Sequence, residues 1–410
     1  MHKKTFPVAV LAGAVALAAG AANDPFSKSQ GVIDVAVYGD APYGTTPTDT
    51  AETLATPAFI DSINAADPQF VVHVGDIHSG KQYCTLAYDQ LIYNLWTSYQ
   101  RPLVYTPGDN EWTDCHKLTE GGGKYNGSTI DYVVDANKVP VDYAKGDPIA
   151  NLDLVRQIFF ADTGHALGAA RKLLLSQAQV DNHAHPTDAK YVENVMWEQS
   201  NVLFVTLNIP GGSNNDQDLW YGAPMTAAQT QEITERTDAD IHWLDAAFAR
   251  AKQDGVVGVV IIIQADMWDV TDMASHQTGF EGVLFGAYDA SRDIVGDIAK
   301  QTSSFNGTVL LFNGDSHVFR SDNPFIFGAH CVQDPGFGLP ATGCAADGEP
   351  QHPTDYQKLY GGSLANFHRV VVHGSTFPLE WLKLTINPRA HAAPGDYAIG
   401  PFSWQRMIQQ

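Results

Sequence analysis

Four apolar runs in this chain of 410 residues end on an acidic residue placed directly after a glycine. Residues 32–40 close on Gly39-Asp40 and 70–76 on Gly75-Asp76. Residues 102–111 close on Gly108-Asp109-Asn110-Glu111, and 308–317 on Gly314-Asp315-Ser316-His317. β-Branched runs bounded by glycine and polar residues read as buried strands, so each Asp falls where a strand stops and its loop begins. In an open α/β sheet that carboxyl edge is where sites form. Strands lying side by side would bring four carboxylates together, and like charges that close cannot all stay ionised without a counter-charge. A bound cation is the simplest one.

The rest of the chain narrows the setting. Lys3 and Lys4, an apolar stretch and the triplet Ala19-Gly20-Ala21 match a secretory signal peptide over residues 1–21, which we set apart from the fold. The expected location is secreted or periplasmic. No run is long and charge-free enough for a membrane span. The formal charge is −22, and removing the two leader lysines makes the remainder more acidic still. An acidic surface repels nucleic acid, so a polynucleotide partner is disfavoured. The four cysteines, Cys84, Cys115, Cys331 and Cys344, allow two disulfides in three pairings. A Cys84–Cys115 bridge would tie two of the strand-end loops together. Cys331 and Cys344 flank a Gly/Pro-rich loop and would close it locally. No Cys-x-x-Cys spacing supports a thiolate metal site.

Strands are expected near 32–38, 70–74, 102–106, 202–208, 256–264, 308–313, 368–373 and 381–386, with a further one around Trp197. Helices are expected near 53–65, 86–99, 152–161, 227–253 and 287–300. This order suits a central pair of sheets covered by helices, built as one domain over 22–410. The stretches 121–148 and 325–360 read as loop excursions over the site.

The ordered stations resemble the calcineurin-like metallophosphoesterase superfamily, whose motifs run Asp-x-His, Gly-Asp, Gly-Asn-His-Asp/Glu, a lone His, then Gly-His-x-His. Here they read Asp40-Ala41-Pro42-Tyr43, Gly75-Asp76, Gly108-Asp109-Asn110-Glu111, Gln264-Ala265-Asp266 and Gly314-Asp315-Ser316-His317. The resemblance implies a four-layer αββα sandwich, two central mixed β-sheets flanked by helices, holding two divalent metal ions and hydrolysing a small phosphorylated substrate. Carried over by position, Asp76 bridges the ions, Asp40 and His317 complete one, and Asp109, Gln264 and Asp315 complete the other. Pro42, Asp109, Gln264 and Asp315 each stand where the family has a nitrogen or amide donor. Carboxylates and an amide oxygen with one imidazole make a harder site, favouring Mn, Mg or Ca over Zn, with Fe also admissible.

Asn110 stands where the family has its catalytic His, and an amide is no general acid. It is expected instead to contact a phosphate oxygen. His116, on the same loop, is the expected substitute acid, with His78, His317 or solvent as alternatives. A catalytically silent binding or structural module is the rival reading. Strand-end Asp residues also serve as turn carboxylates. Gln264 either ligates or satisfies a buried carbonyl, with Asp266 as the alternative ligand. His73 reads as a core residue, while His183, His185 and His276 read as solvated. The loop Gly211-Gly212-Ser213-Asn214-Asn215 is placed near the same sheet edge, and the sequons at Asn126 and Asn306 read as chance matches.

Overall fold

A computed structural model describes residues 24–26, 29–214, 218–268, 294–326, 329–334, 340–344 and 363–409. The leader, His276 and much of the 325–360 stretch lie outside these residues.

The β-branched runs pair into two large sheets. Ile33–Tyr38 runs parallel to Val71–His73, which runs parallel to Leu103–Tyr105. On its other side Ile33–Tyr38 pairs antiparallel with Glu380–Ile386, and Phe402–Ile408, Ala398–Gly400 and Ala392–Gly395 extend this sheet to seven strands among the described residues. Among the described residues the second sheet has nine strands around a parallel centre of Val202–Thr206, Gly258–Ile262, Thr308–Asn313 and Phe367–Val371. Val195–Gln199, the Trp197 strand, flanks that centre antiparallel to Val202–Thr206.

Side chains alternate across a strand, and here both faces of each sheet are apolar. Val35, Val37, Val72 and Val104 point toward Phe204, Val260, Ile262, Leu310 and Phe312 of the other sheet and form the core between the two. The opposite face of the first sheet, with Ala36, Tyr38, Val71 and Tyr105, packs on Phe59 and Ile63 of helix Ala51–Ala66, Trp96 of helix Leu86–Trp96 and Phe159 of helix Pro148–Phe159. The outer face of the second sheet, with Leu203, Val205, Ile261 and Leu311, packs on Trp243, Leu244 and Phe248 of helix Ala227–Asp254 and on Ile298 of helix Ile294–Ser303. Helix, sheet, sheet, helix is the four-layer αββα order.

Local chemistry sets the element ends. Thr226 accepts the Gln229 N–H at the start of the long helix, and Gly255, at φ 68°, closes it in the left-handed region that glycine reaches without strain. Asp147 caps the third helix and Pro148 occupies its first turn, so it begins four residues before the expected 152. The 121–148 stretch holds a small antiparallel hairpin, Gly123–Tyr125 with Ile130–Tyr132.

Because the parallel strands of each sheet share a direction, their carboxyl ends gather at one end of the sandwich. Contacts join the two sheets there: Thr106 Oγ1 donates to the Leu207 carbonyl (3.0 Å), and the Asp315 N–H donates to Asp40 Oδ1 (3.0 Å). The loop after Asp40 is held by helix Ala51–Ala66, whose Glu52 accepts the Tyr43 N–H at 2.7 Å.

Two outcomes test this packing. Phe70 stands edge-on to Trp197 (5.5 Å) and Phe204 (5.1 Å) between the sheets, so Phe70→Ala should lower unfolding stability by about 3–5 kcal/mol in urea titration. Burial raises the Glu52 carboxyl to about 7, against the opposing Tyr43 hydrogen bond and with help from Asp49. A raised folded-state value means a contribution that is full below about pH 4 and lost as pH climbs toward 7. Glu52→Gln should therefore leave stability at pH 4 nearly unchanged and raise it at pH 8 by on the order of 1–2 kcal/mol, read from denaturation at both pH values.

Candidate metal centre

Asp40, Asp76, Asp315 and His317 all adopt left-handed backbone, at φ 47°, 60°, 74° and 64°. Each lies two to four residues past a buried strand, where the chain must reverse. Asp and His enter that region at less cost than branched residues. Glycines let the backbones close in: a Cβ at Gly108 would overlap the Asp76 carboxylate, and one at Gly314 would overlap Asp40 Oδ2.

The seam brings the six expected ligand positions into one network, joined in part through Gly211. Asp40, Asp76 and His317 offer ligand atoms within 4.8 Å of one another. Asp40 is fully buried; Oδ1 accepts the Asp315 N–H, while Oδ2 has no hydrogen-bond partner. Asp76 Oδ2 accepts from the Tyr43 hydroxyl (2.6 Å), Asn110 Nδ2 (2.9 Å) and Gln264 Nε2 (3.2 Å). Asp109 Oδ1 accepts from the same Gln264 nitrogen at 2.9 Å. Asp315 Oδ2 accepts the Asp266 N–H at 3.0 Å. A Cβ on Gly211 would stand 2.6 Å from Asp315 Oδ1 and 3.0 Å from Asp109 Oδ2, so this loop, expected at the sheet edge, packs against both carboxylates.

Burial dominates the electrostatics. It pushes the Asp40 and Asp76 carboxyls well above the usual range, and the neighbouring Asp109 and Glu111 push them further. Asp109 is raised by burial against the opposing pull of Lys117. His317 is lowered to about 4, by desolvation first and then by His373 and Lys81, so its ring is neutral at physiological pH. A neutral imidazole beside two buried carboxylates, one oxygen of which lacks a partner, is a donor set suited to a divalent cation.

The remaining candidates are placed as follows. Gln264 is fully buried, its Oε1 takes the Gly211 N–H, and its Nε2 faces the carboxylates, the reverse of a ligating amide oxygen. Asp266, the alternative ligand, accepts from Arg369 Nη1, the Trp268 N–H and Ser316 Oγ, which commits it to a buried ion pair. Asn110 also donates to the Tyr43 hydroxyl at 3.0 Å. The buried His116 accepts the Tyr221 N–H at Nδ1 (3.1 Å), so Nε2 carries the proton, and Nε2 faces Asp218 at 3.6 Å. His78 is buried, its ring is lowered to about 4 by desolvation, and it stands edge-on to Tyr88. His73 is buried between strands and faces the Ala41 carbonyl at 3.0 Å, as its place in a strand predicts. His183 is exposed.

Of the three pairings, the cysteines form Cys84–Cys115 and Cys331–Cys344. Both sulfurs of the first lie against the Asn110 carbonyl, at 3.2 and 3.6 Å, so the bridge braces the loop that carries Asp109 and Asn110. Tyr43 was not among the expected site residues. Its hydroxyl donates to Asp76 and its ring stands edge-on to His317 at 5.2 Å. Its place three residues after Asp40, beside the substituted Pro42, was the available signal.

No family model and no curated relative matches the sequence. Among solved structures the chain is similar to purple acid phosphatase PPD1 from yellow lupin (Lupinus luteus) seeds, with 12% identity, a TM-score of 0.40 and coverage of 90% of this chain and 51% of that one. The chain thus spans about half the length of the lupin protein. It is also similar to PhoD (9% identity, TM-score 0.43, 92% of this chain and 72% of that one) and to a dimetal phosphatase from Danio rerio (8%, 0.39, 92% and 98%). The four-layer order rests on the sheets and cores described above.

Proposed function

We propose that this chain is a secreted or periplasmic hydrolase of small phosphate mono- or diesters, dependent on a divalent cation held by Asp40, Asp76 and His317. One observation carries the reading. Two buried carboxylates and a neutral imidazole converge within 4.8 Å, and Asp40 Oδ2 is buried among them with no hydrogen-bond donor. A buried carboxylate without counter-charge is costly, and a cation removes that cost. The two disulfides suit an oxidising compartment. Among the described residues no helix is long and apolar enough to cross a membrane.

A divalent cation here would supply charge stabilisation for an acidified water and for the phosphoryl oxygens, with Mn, Mg or Ca preferred by the oxygen-rich donors. The chain's own groups do the rest. The Tyr43 hydroxyl and Asn110 amide fix the Asp76 carboxylate through two hydrogen bonds. The disulfide holds Asn110 in place behind them. Burial keeps Tyr43 protonated, with the Asp76 and Asp40 charges adding to the effect, so it remains a donor. Proton delivery to the leaving oxygen is assigned to His116 in its imidazolium form, reached when Nδ1 exchanges the Tyr221 N–H for a proton; Nε2, which faces Asp218 at 3.6 Å, gives up its proton and leaves the neutral ring. A silent binding module is the second reading, favoured by the amide at 110 and by Gln264 turning its nitrogen toward the carboxylates.

With added Mn or Mg, the protein should hydrolyse an aryl phosphate, and Asp76→Ala should cut kcat/KM at least about hundredfold. Absence of turnover with every divalent ion tried would select the silent reading. His116→Gln should depress turnover of alkyl phosphates far more than of nitrophenyl phosphates, whose leaving group needs no proton. Asp40→Asn should raise the stability of the cation-free protein by on the order of 1–3 kcal/mol and abolish its thermal shift on adding Mn, as scanning calorimetry will show.

A further inference from the structure

The position beside the cation triad, between Asp76 and Asp109, is occupied by protein. Gln264 projects into it from just past the strand Gly258–Ile262 and is fully buried. Its amide orientation follows from its partners. The Gly211 N–H can donate only to the oxygen, so Oε1 faces Gly211 and Nε2 faces the acids. The two amide protons are both spent there, on Asp76 Oδ2 at 3.2 Å and Asp109 Oδ1 at 2.9 Å. Turning the amide over would set its oxygen against two carboxylates and its NH₂ against a backbone N–H, losing three hydrogen bonds at once.

The space is filled as well as satisfied. The Gly211 backbone closes on Asp315 Oδ1 and Asp109 Oδ2. Asp315 spends its Oδ2 on the Asp266 N–H, and Asp76 Oδ2 already accepts from Tyr43 and Asn110. Asp109 and Asp315 lie outside the triad of Asp40, Asp76 and His317. An N–H donor and a cation compete for the same lone pairs, because both need the oxygen's negative charge. Ligation by the Gln264 oxygen would also strip the Gly211 N–H of its buried acceptor.

We propose that the centre binds one divalent cation, at Asp40, Asp76 and His317, and that the Gln264 carboxamide is a neutral, built-in substitute for a second cation between Asp76 and Asp109. The inference rests on the cation reading above and deepens it by fixing the stoichiometry and the device that sets it. It departs from the two ions that the motif resemblance implies. The mismatch lies in one side chain: an amide nitrogen delivers two hydrogen bonds where a cation would deliver charge.

The test loads the full chain with Mn(II), removes free ion by gel filtration, and reads metal content together with low-temperature electron paramagnetic resonance. The expected result is one Mn per chain and the six-line spectrum of an isolated ion. Gln264→Glu replaces the donor with an acceptor, and Gln264→His supplies an imidazole; either, if folded by circular dichroism, should tighten a second Mn by about tenfold or more and produce a spin-coupled pair. Two ions or a coupled spectrum in the wild-type chain overturns the proposal. So does a wild-type chain that retains none, or folded variants that both stay at one ion. The wild-type count decides the matter even where neither variant folds. One bound Mn without turnover would sink the hydrolase reading and leave this one standing, whereas turnover with two would do the reverse.

Discussion

Desolvation of clustered carboxylates, with their mutual repulsion added to it, governs this site. Asp40 and Asp76 sit fully or almost fully out of water, a few ångströms apart. Their raised carboxyls carry a definite sign. Without a cation, the stability they confer when protonated is complete below about pH 4 and is lost as pH rises through their folded-state values. The fold tolerates that cost because two sheets, each buried on both faces, hold the strand ends in register. The site is thus strained by its own charge and rigid for reasons unrelated to charge.

The strand ends were legible because their signal is local. A β-branched run, a glycine and an acid are contiguous, and the structure puts a turn at Asp40, Asp76 and Asp315, with the first two carboxylates buried and the third half-buried. The helices were legible for the same reason, with offsets where a cap was overlooked, as at Asp147-Pro148. The antiparallel additions were harder to see. Arg320–Asp322 and Ala398–Gly400 are short and carry little pattern of their own, and only pairing with a longer strand makes them strands.

The chemistry of individual side chains was less legible than their position. Position said that Gln264 would face the acids. Which end of its amide does so depends on Gly211, more than fifty residues away in sequence. Asp266 looked equivalent to a ligand until Arg369, itself fully buried, took it into an ion pair. His116 and Asn110 share a loop, yet the histidine's ring is set by Tyr221 and Asp218, which reach it from a distant part of the chain. Long-range partners decide whether a polar residue at a sheet edge is a ligand, a donor or a structural pair.

The Cys84–Cys115 bridge bears on how the proposed cation site would be emptied and refilled. By pressing both sulfurs against the Asn110 carbonyl it ties the acid-bearing loop to the start of helix Leu86–Trp96 through a covalent strut that owes nothing to electrostatics. On the proposed cation reading, an ion leaving the site would find the cradle behind it already shaped, and the next arrival would pay little ordering entropy on entry. Exchange would then be governed by desolvation of the incoming ion and not by rebuilding of its host.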